Sequence, residues 1–387
     1  MEKRCFPALN LIGWMRMAPG KRKIVLLQLA CLCLATFLRA DLETFGYYEN
    51  RSFLFSKKEF SLEEADRKFS LGNYNRLRLQ FKSALSERIS LNLAVDFFTF
   101  HGTIRNLLGT SSRPEDAPWT NTELDRAYVD LYFPGFDVTI GKQRVAFGIS
   151  YLWAPLDVFN RINIFEPKEE KPGVNALKVY VPLGEVSSLT GVFAPEDSID
   201  DSLSGLRIQT LVKDVDIALN VIRRGNREET ILGVDLRGEH IIGWWVEGGY
   251  FFSPSRDDVK IAIGFDYTFP LGRGLIWLNE VFFDESGEKN SALYDFSKVL
   301  AGDRFTLGEK YCLSSLLYSL SDLISMSTTY IGSWTDGSFI LNPSLQYELA
   351  QNVLLNSGLF LFFGRKGGEF HPQEVSDILY IWLKVNF

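Results

Sequence analysis

Asp377-Ile-Leu-Tyr-Ile-Trp-Leu-Lys-Val-Asn-Phe387 closes the chain with a period of two. Leu379, Ile381, Leu383, Val385 and Phe387 fall on one face, because successive side chains of a strand point to opposite sides. Working back towards Leu42, the same alternation recurs in about 18 short segments of about 9–14 residues, the length a tilted strand needs to cross a bilayer. The clearest are 75–82, 215–224 and 259–269. In the first, Leu77, Leu79 and Phe81 alternate with Arg76, Arg78, Gln80 and Lys82.

The joints between segments alternate short and long. Tight joints sit at Ser86-Glu87, Pro134-Gly135, Gly184-Glu185, Asp214, Gly238-Glu-His240, Pro270-Leu-Gly-Arg-Gly274, Ser321-Asp322 and Ala350-Gln-Asn352. Between them lie longer loops, among them 56–71, 101–121, 148–173, 284–307 and 364–376. Short turns at one rim and long loops at the other describe an all-β, antiparallel, up-and-down transmembrane β-barrel. The expected strand number is about 18. Weak patterning in 186–194 and 308–320 leaves 16 as the alternative. An even count places both termini on the periplasmic side of a bacterial outer membrane, crossed many times.

Composition agrees. Mean hydropathy is −0.01, as expected when half of each strand faces water, and aromatics reach 14 %, enough for interfacial girdles. A net charge of −7 argues against nucleic acid as a partner. Lys21-Arg-Lys23 followed by the apolar run 24–37 reads as a secretory signal peptide within residues 1–40, cleaved after Ala40, with Met15 or Met17 as the initiator of an over-long start. Residues 41–387 then form one barrel domain. Cys5, Cys31 and Cys33 leave with the leader; Cys312 alone remains and cannot form an intrachain disulfide.

A charge on the lipid face at mid-bilayer costs roughly 2–4 kcal/mol, so charged positions are assigned to the lumen. The expected pore-lining bases are Arg76, Arg78, Lys82, Arg126, Arg207, Lys213, Arg224, Arg237 and Lys260. Arg144 joins them if a bulge at Gly141 corrects the phase of 136–147. The expected acids are Asp96, Asp130, Asp216, Asp235 and Asp266, with Glu247 and Glu280. A basic ring would favour anionic solutes; the same charges paired across the lumen would only keep it wet. Loop 148–173 carries Asp157, Arg161, Glu166, Glu169 and Glu170 beside Trp153, Phe159 and Phe165. It either folds inward as a constriction or lies on the surface. Pro343 interrupts an otherwise regular strand, because it has no N–H for the ladder.

Arg126-Ala-Tyr-Val-Asp-Leu131, Gly141-Lys-Gln-Arg-Val-Ala-Phe-Gly148 and Ala154-Pro-Leu-Asp-Val-Phe159 resemble a block common in bacterial outer-membrane porin-like barrels, closest in kind to 18-stranded monomeric channels such as the alginate-export porin. Phe147 and Ala154 depart from the Trp and Asn often found there. The resemblance implies passive passage of small or polymeric hydrophilic solutes, without a cofactor, in contact with outer-membrane lipid and lipopolysaccharide. Terminal Phe387 resembles the signal such barrels present to their assembly machinery.

The expected function is therefore an outer-membrane porin-like channel for hydrophilic, anionic solutes, acting as a monomer or a trimer. A non-conducting barrel serving as a surface adhesin is the alternative. No catalytic residue or metal site is expected: His101, His240 and His371 fall in loops or turns without a patterned partner, and no phosphate loop or dinucleotide fingerprint occurs.

Overall fold

Eighteen strands form one closed sheet. The computed structural model describes residues 42–56, 69–103, 119–160, 171–254, 256–300, 304–371 and 377–387. The expected signal peptide lies outside them. In chain order the strands are β1 Leu42–Ser56, β2 Phe69–Ser86, β3 Ile89–Gly102, β4 Trp119–Phe133, β5 Phe136–Gln143, β6 Val174–Pro182, β7 Ser187–Ala194, β8 Leu203–Val212 and β9 Val215–Arg224. They continue as β10 Glu229–Glu239, β11 Gly243–Phe252, β12 Asp258–Phe269, β13 Leu275–Asp284, β14 Lys310–Ser319, β15 Ile324–Ser333, β16 Phe339–Ala350, β17 Val353–Phe363 and β18 Ile378–Asn386.

Each strand pairs antiparallel with its sequence neighbours, and β1 also pairs with β18, so no edge is left open. The closing register sets Arg51 opposite Trp382 and Glu49 opposite Lys384. Gly46 and Phe387 seal the seam with reciprocal backbone bonds of 2.9 and 3.0 Å. The weakly patterned segments do form strands, β7 and β14, so the count is 18 rather than 16.

Alternation gives the barrel two different faces. On β9, Leu219 is 56 % exposed and the adjacent Asn220 only 2 %. Outward residues such as Leu206, Ile208, Val221 and Ile263 form an apolar exterior, the surface that lipid requires. The chain is thus a multi-pass outer-membrane barrel, and no helix among the described residues is long and apolar enough to cross a membrane. The start of β1 lies against the β2–β3 turn, with Leu42 opposite Ser83, and β18 ends beside it. Both strand termini therefore sit at the short-turn rim, the periplasmic side in this fold.

Two local expectations change, at Arg144 and Lys213, while the interruption at Pro343 is seen as expected. Strand β5 stops at Gln143, and its pairing runs without a register break through Gly141, so no bulge there turns Arg144 inward. The register break falls instead on β4, where Asp125 is the extra residue between Leu124 and Arg126. Lys213 occupies the β8–β9 turn in a left-handed conformation (φ 56°), not a wall position. Pro343 stays inside β16, paired with Thr328 of β15. On its other side the side-chain amide of Asn342 donates to the Leu359 carbonyl at 2.7 Å, replacing the missing ladder bond.

Candidate functional site: a strap inside the barrel

After Gln143 the chain leaves the sheet and turns into the lumen. Residues 144–160 run along the inner wall from β6 towards β14. Val145, Phe147, Leu156 and Phe159 pack into a buried apolar cluster with Ala176 of β6, Val192 and Ala194 of β7, Leu203 of β8, Ile222 of β9, Ile231 of β10 and Phe251 of β11. Trp153 reaches further, into a cluster with Ala262, Phe282, Tyr311 and Leu313, and lies flat on Phe282 (5.8 Å between centroids, 9° between planes). Wall glycines make room for this close approach. A Cβ at Gly205 would stand 2.8 Å from the rings of Phe147 and Phe159, and one at Gly233 would stand 2.4 Å from Cδ2 of Leu156.

Two wall carboxylates hold the strap's backbone. Glu247 on β11 accepts the N–H groups of Ile149, Ser150 and Leu156 at 2.7, 2.8 and 2.8 Å. Glu280 on β13 accepts those of Tyr151, Leu152 and Trp153 at 2.6, 3.0 and 2.8 Å, and the indole N–H of Trp245 at 2.8 Å. Strand β13 is eight strands from β5 around the ring, so these bonds tie the strap to the far wall. Both carboxylates are fully buried. Without them six backbone donors would be left without partners away from water, at a cost of about 1–3 kcal/mol each. Within the strap, Asp157 bonds Asn160 at 3.0 Å and pairs with Lys171. Burial raises the Asp157 carboxyl above its usual range, with Lys171 and Arg144 pulling against that rise. Arg144 itself is exposed, beyond the end of β5. Arg161, Glu166, Glu169 and Glu170 lie outside the described residues.

The inward bases largely face acids. Arg76 grips Asp96 with two bonds of 2.9 and 3.0 Å; Arg78 bridges Asp96 at 3.2 Å and Asp125 at 2.6 Å. Arg126 stands 3.5 Å from Asp125. Arg207 forks onto Asp235 at 2.6 and 2.7 Å, Arg224 meets Glu229 at 3.0 Å, and Lys260 meets Asp284 at 3.0 Å and Asp258 at 3.5 Å. Asp130 accepts from Ser90, Asn92 and Thr139. Lys82, Asp216 and Arg237 sit near the periplasmic rim, Asp216 opposite Arg237 and Lys82 opposite Glu43. Asp266 pairs in register with Gly243.

Sequence reading missed three partners here. Asp125 turns inward only through the β4 bulge, and the phase break between Leu124 and Arg126 was its signal. Glu49 and Arg51 follow the alternation of β1, where Arg51 bonds Glu49 at 2.7 Å and stacks on Trp382 at 4.1 Å.

Above the strap, on the long-loop side, a cavity of about 420 Å³ opens between Trp153, Phe251, Phe282 and the ends of β9–β13. Among the described residues, no group of His, Cys, Asp and Glu is arranged to hold a metal ion.

No family model and no curated protein matches the sequence. Solved structures do match. Acinetobacter baumannii OccAB3 is similar over 89 % of this chain and 99 % of its own, at 11 % identity and a TM-score of 0.56. A BenF-like porin from Pseudomonas fluorescens Pf-5 matches over 89 % and 98 %, also at 11 % identity and a TM-score of 0.56. The fold is that of the outer-membrane porins. Wzi of Escherichia coli, an outer-membrane protein involved in group 1 capsule assembly and described as a carbohydrate-binding β-barrel, covers 96 % of this chain and 90 % of its own at 11 % identity, with a TM-score of 0.53. At such identities the porin fold is shared, while the residues inside are this chain's own.

Proposed function

We propose that this barrel is a diffusion channel for small hydrophilic solutes, with residues 148–160 of the strap as its constriction. The observation that carries the reading is a strap held inside a closed barrel, with one side sealed to the wall by Leu156, Phe159 and Trp153 and its backbone fixed by Glu247 and Glu280. A loop anchored in this way narrows a lumen without depending on its own side chains for rigidity. The wall charges act mainly as pairs, which keep the lumen wet and give little selectivity of their own. Any preference for anions then arises at the outer mouth rather than at Arg76 and Arg78. The strap also favours small solutes over polymers, because it occupies the inner face from β6 to β14. Phe387, outward-facing at the seam, is proposed as the residue presented to the assembly machinery.

A second reading, a non-conducting surface barrel, draws on the burial of Arg76 and Arg78 on the opposite side of the lumen and on the likeness to Wzi. Reversal potentials across a planar bilayer under a salt gradient test the channel reading. The channel predicts current through the folded protein with a modest anion preference, unchanged in sign by Arg78→Lys. Cation preference would remove the anionic part of the proposal.

A further inference from the structure

We propose that the outer wall of β1–β4 is a self-association surface, against which a second copy of this chain docks side by side in the membrane about a two-fold axis. The proposal goes beyond the channel reading and does not depend on it. It rests on a row of polar side chains on the face turned towards lipid. On β1, Asn50 and Ser52 alternate with Glu49 and Arg51, which are buried on the inner side. On β2, Asn73 and Asn75 alternate with the buried Tyr74 and Arg76. The register sets Asn50 opposite Asn75 and Ser52 opposite Asn73; beyond them Asn75 faces Thr99, and Thr99 faces Thr120. Side-chain bonds join these residues into one network. Tyr48 and Asn50 donate to Oδ1 of Asn75 at 2.8 and 2.6 Å. Asn75 donates to Asn73 at 2.6 Å and to Thr99 at 3.0 Å. Asn73 donates to the Ser52 hydroxyl at 3.0 Å, and Ser52 to Asn50 at 3.2 Å.

The network lies inside the apolar band rather than above it. Leu77, Leu79 and Phe97 face outward on its periplasmic side. Leu54 and Leu71, paired with each other, face outward on its other side, and Leu71 is 71 % exposed. On β16 the outward face between its two aromatic ends, Phe339 and Tyr347, spans eight positions. Eight positions along β2 from the outward Phe81 is Asn73. The adjoining β18 presents Ile381 and Leu383 at the registers of Ser52 and Asn50, as lipid requires. Lipid tails offer an amide no hydrogen bond, so polar surface at this depth is better placed against protein.

The chemistry of the patch selects a second copy as that protein. A partner at this depth must itself be embedded in the membrane. The outward residues Tyr48, Asn50, Ser52, Asn73, Asn75, Thr99 and Thr120 are all uncharged, so the patch has no cation for a lipid phosphate and no charge by which two copies would repel. Each amide both donates and accepts, which makes the patch complementary to itself. One self-complementary patch builds a closed two-fold pair; a ring would need two different patches.

Cysteine cross-linking of the full-length barrel in its membrane tests the surface. In a Cys312→Ser background, Ser52→Cys is expected to give a disulfide-linked pair of twice the barrel's mass on oxidation. Val221→Cys, exposed on β9 at the far side of the ring, should give none. Adding Asn73→Leu/Asn75→Leu to Ser52→Cys suits lipid better and removes the network, so the linked fraction should fall at least about tenfold. Heat-modifiable migration shows that each variant has folded. Photobleaching of the labelled wild-type barrel at low density in a supported bilayer counts the copies, and two steps are expected. One step or three, no Ser52→Cys pair, equal linkage through Val221→Cys, or a pair that survives both leucines would overturn the proposal. Linkage of Ser52→Cys to a protein of another mass would also overturn it, in favour of a different outer-membrane partner. Paired barrels that carry no current would remove the channel and leave the surface; single barrels that conduct would do the reverse.

Discussion

Arg78 shows what a single side chain does in this lumen. It is fully buried and joins Asp96 of β3 to Asp125 of β4. Its truncation would leave two carboxylates competing for Arg76 and Arg126 away from water. Breaking a buried pair by removing one partner costs about 3–5 kcal/mol, so Arg78→Ala should lower the denaturant midpoint of the refolded barrel by that equivalent. A midpoint unchanged from wild type would show that the carboxylates find solvent. Glu369, in the β17–β18 loop, is a different case. It accepts the N–H groups of Leu307 and Gly308 and the hydroxyl of Tyr311. Burial pushes its carboxyl from 4.5 up to about 7. A group with a raised folded value holds its proton more tightly when folded, so the junction of these two loops is most stable below pH 4.5 and loses stability as pH rises to about 7. Protection of the Leu307 and Gly308 amides from hydrogen exchange, corrected for intrinsic rates, should fall between those limits and become flat in Glu369→Gln.

At the scale of elements, the strap and its wall are matched shapes. Gly233 is wall residue and strap seat at once. Adding a methyl there places it against Leu156, and overpacking of this kind costs about 1–3 kcal/mol. Gly233→Ala should loosen residues 148–160 and expose them to limited proteolysis, with the barrel's heat-modifiable migration retained. Cleavage no faster than in wild type would show that Leu156 can repack. The strands themselves were legible in the sequence, because every lipid-facing position must be apolar and the period of two leaves little freedom. Even β7 and β14, with blurred patterns, kept their places once their neighbours were set. The strap's path was not legible. Its anchors are backbone amides, which carry no residue signature, and their acceptors lie about 90–130 positions away. Glu247 and Glu280 could be read as inward-facing, but not as the acceptors of this strap. Asp125 was hidden for a related reason: a bulge inverts the phase that sequence reading relies on.

The whole molecule is a closed wall, an inward strap and an outer cavity resting on it. Its barrel architecture follows from lipid on one side and water on the other. Its specificity comes from long-range pairings that alternation alone does not encode. The central claim is that the strap, held by Glu247 and Glu280, sets the width of an open pore. Single-channel conductance of the refolded protein beside its Glu247→Gln/Glu280→Gln variant measures this directly. The account predicts a steady, small conductance for the wild type and a larger, noisier one once both carboxylate anchors are replaced. Silence from a correctly folded wild-type barrel, or identical conductance in the two proteins, would contradict it.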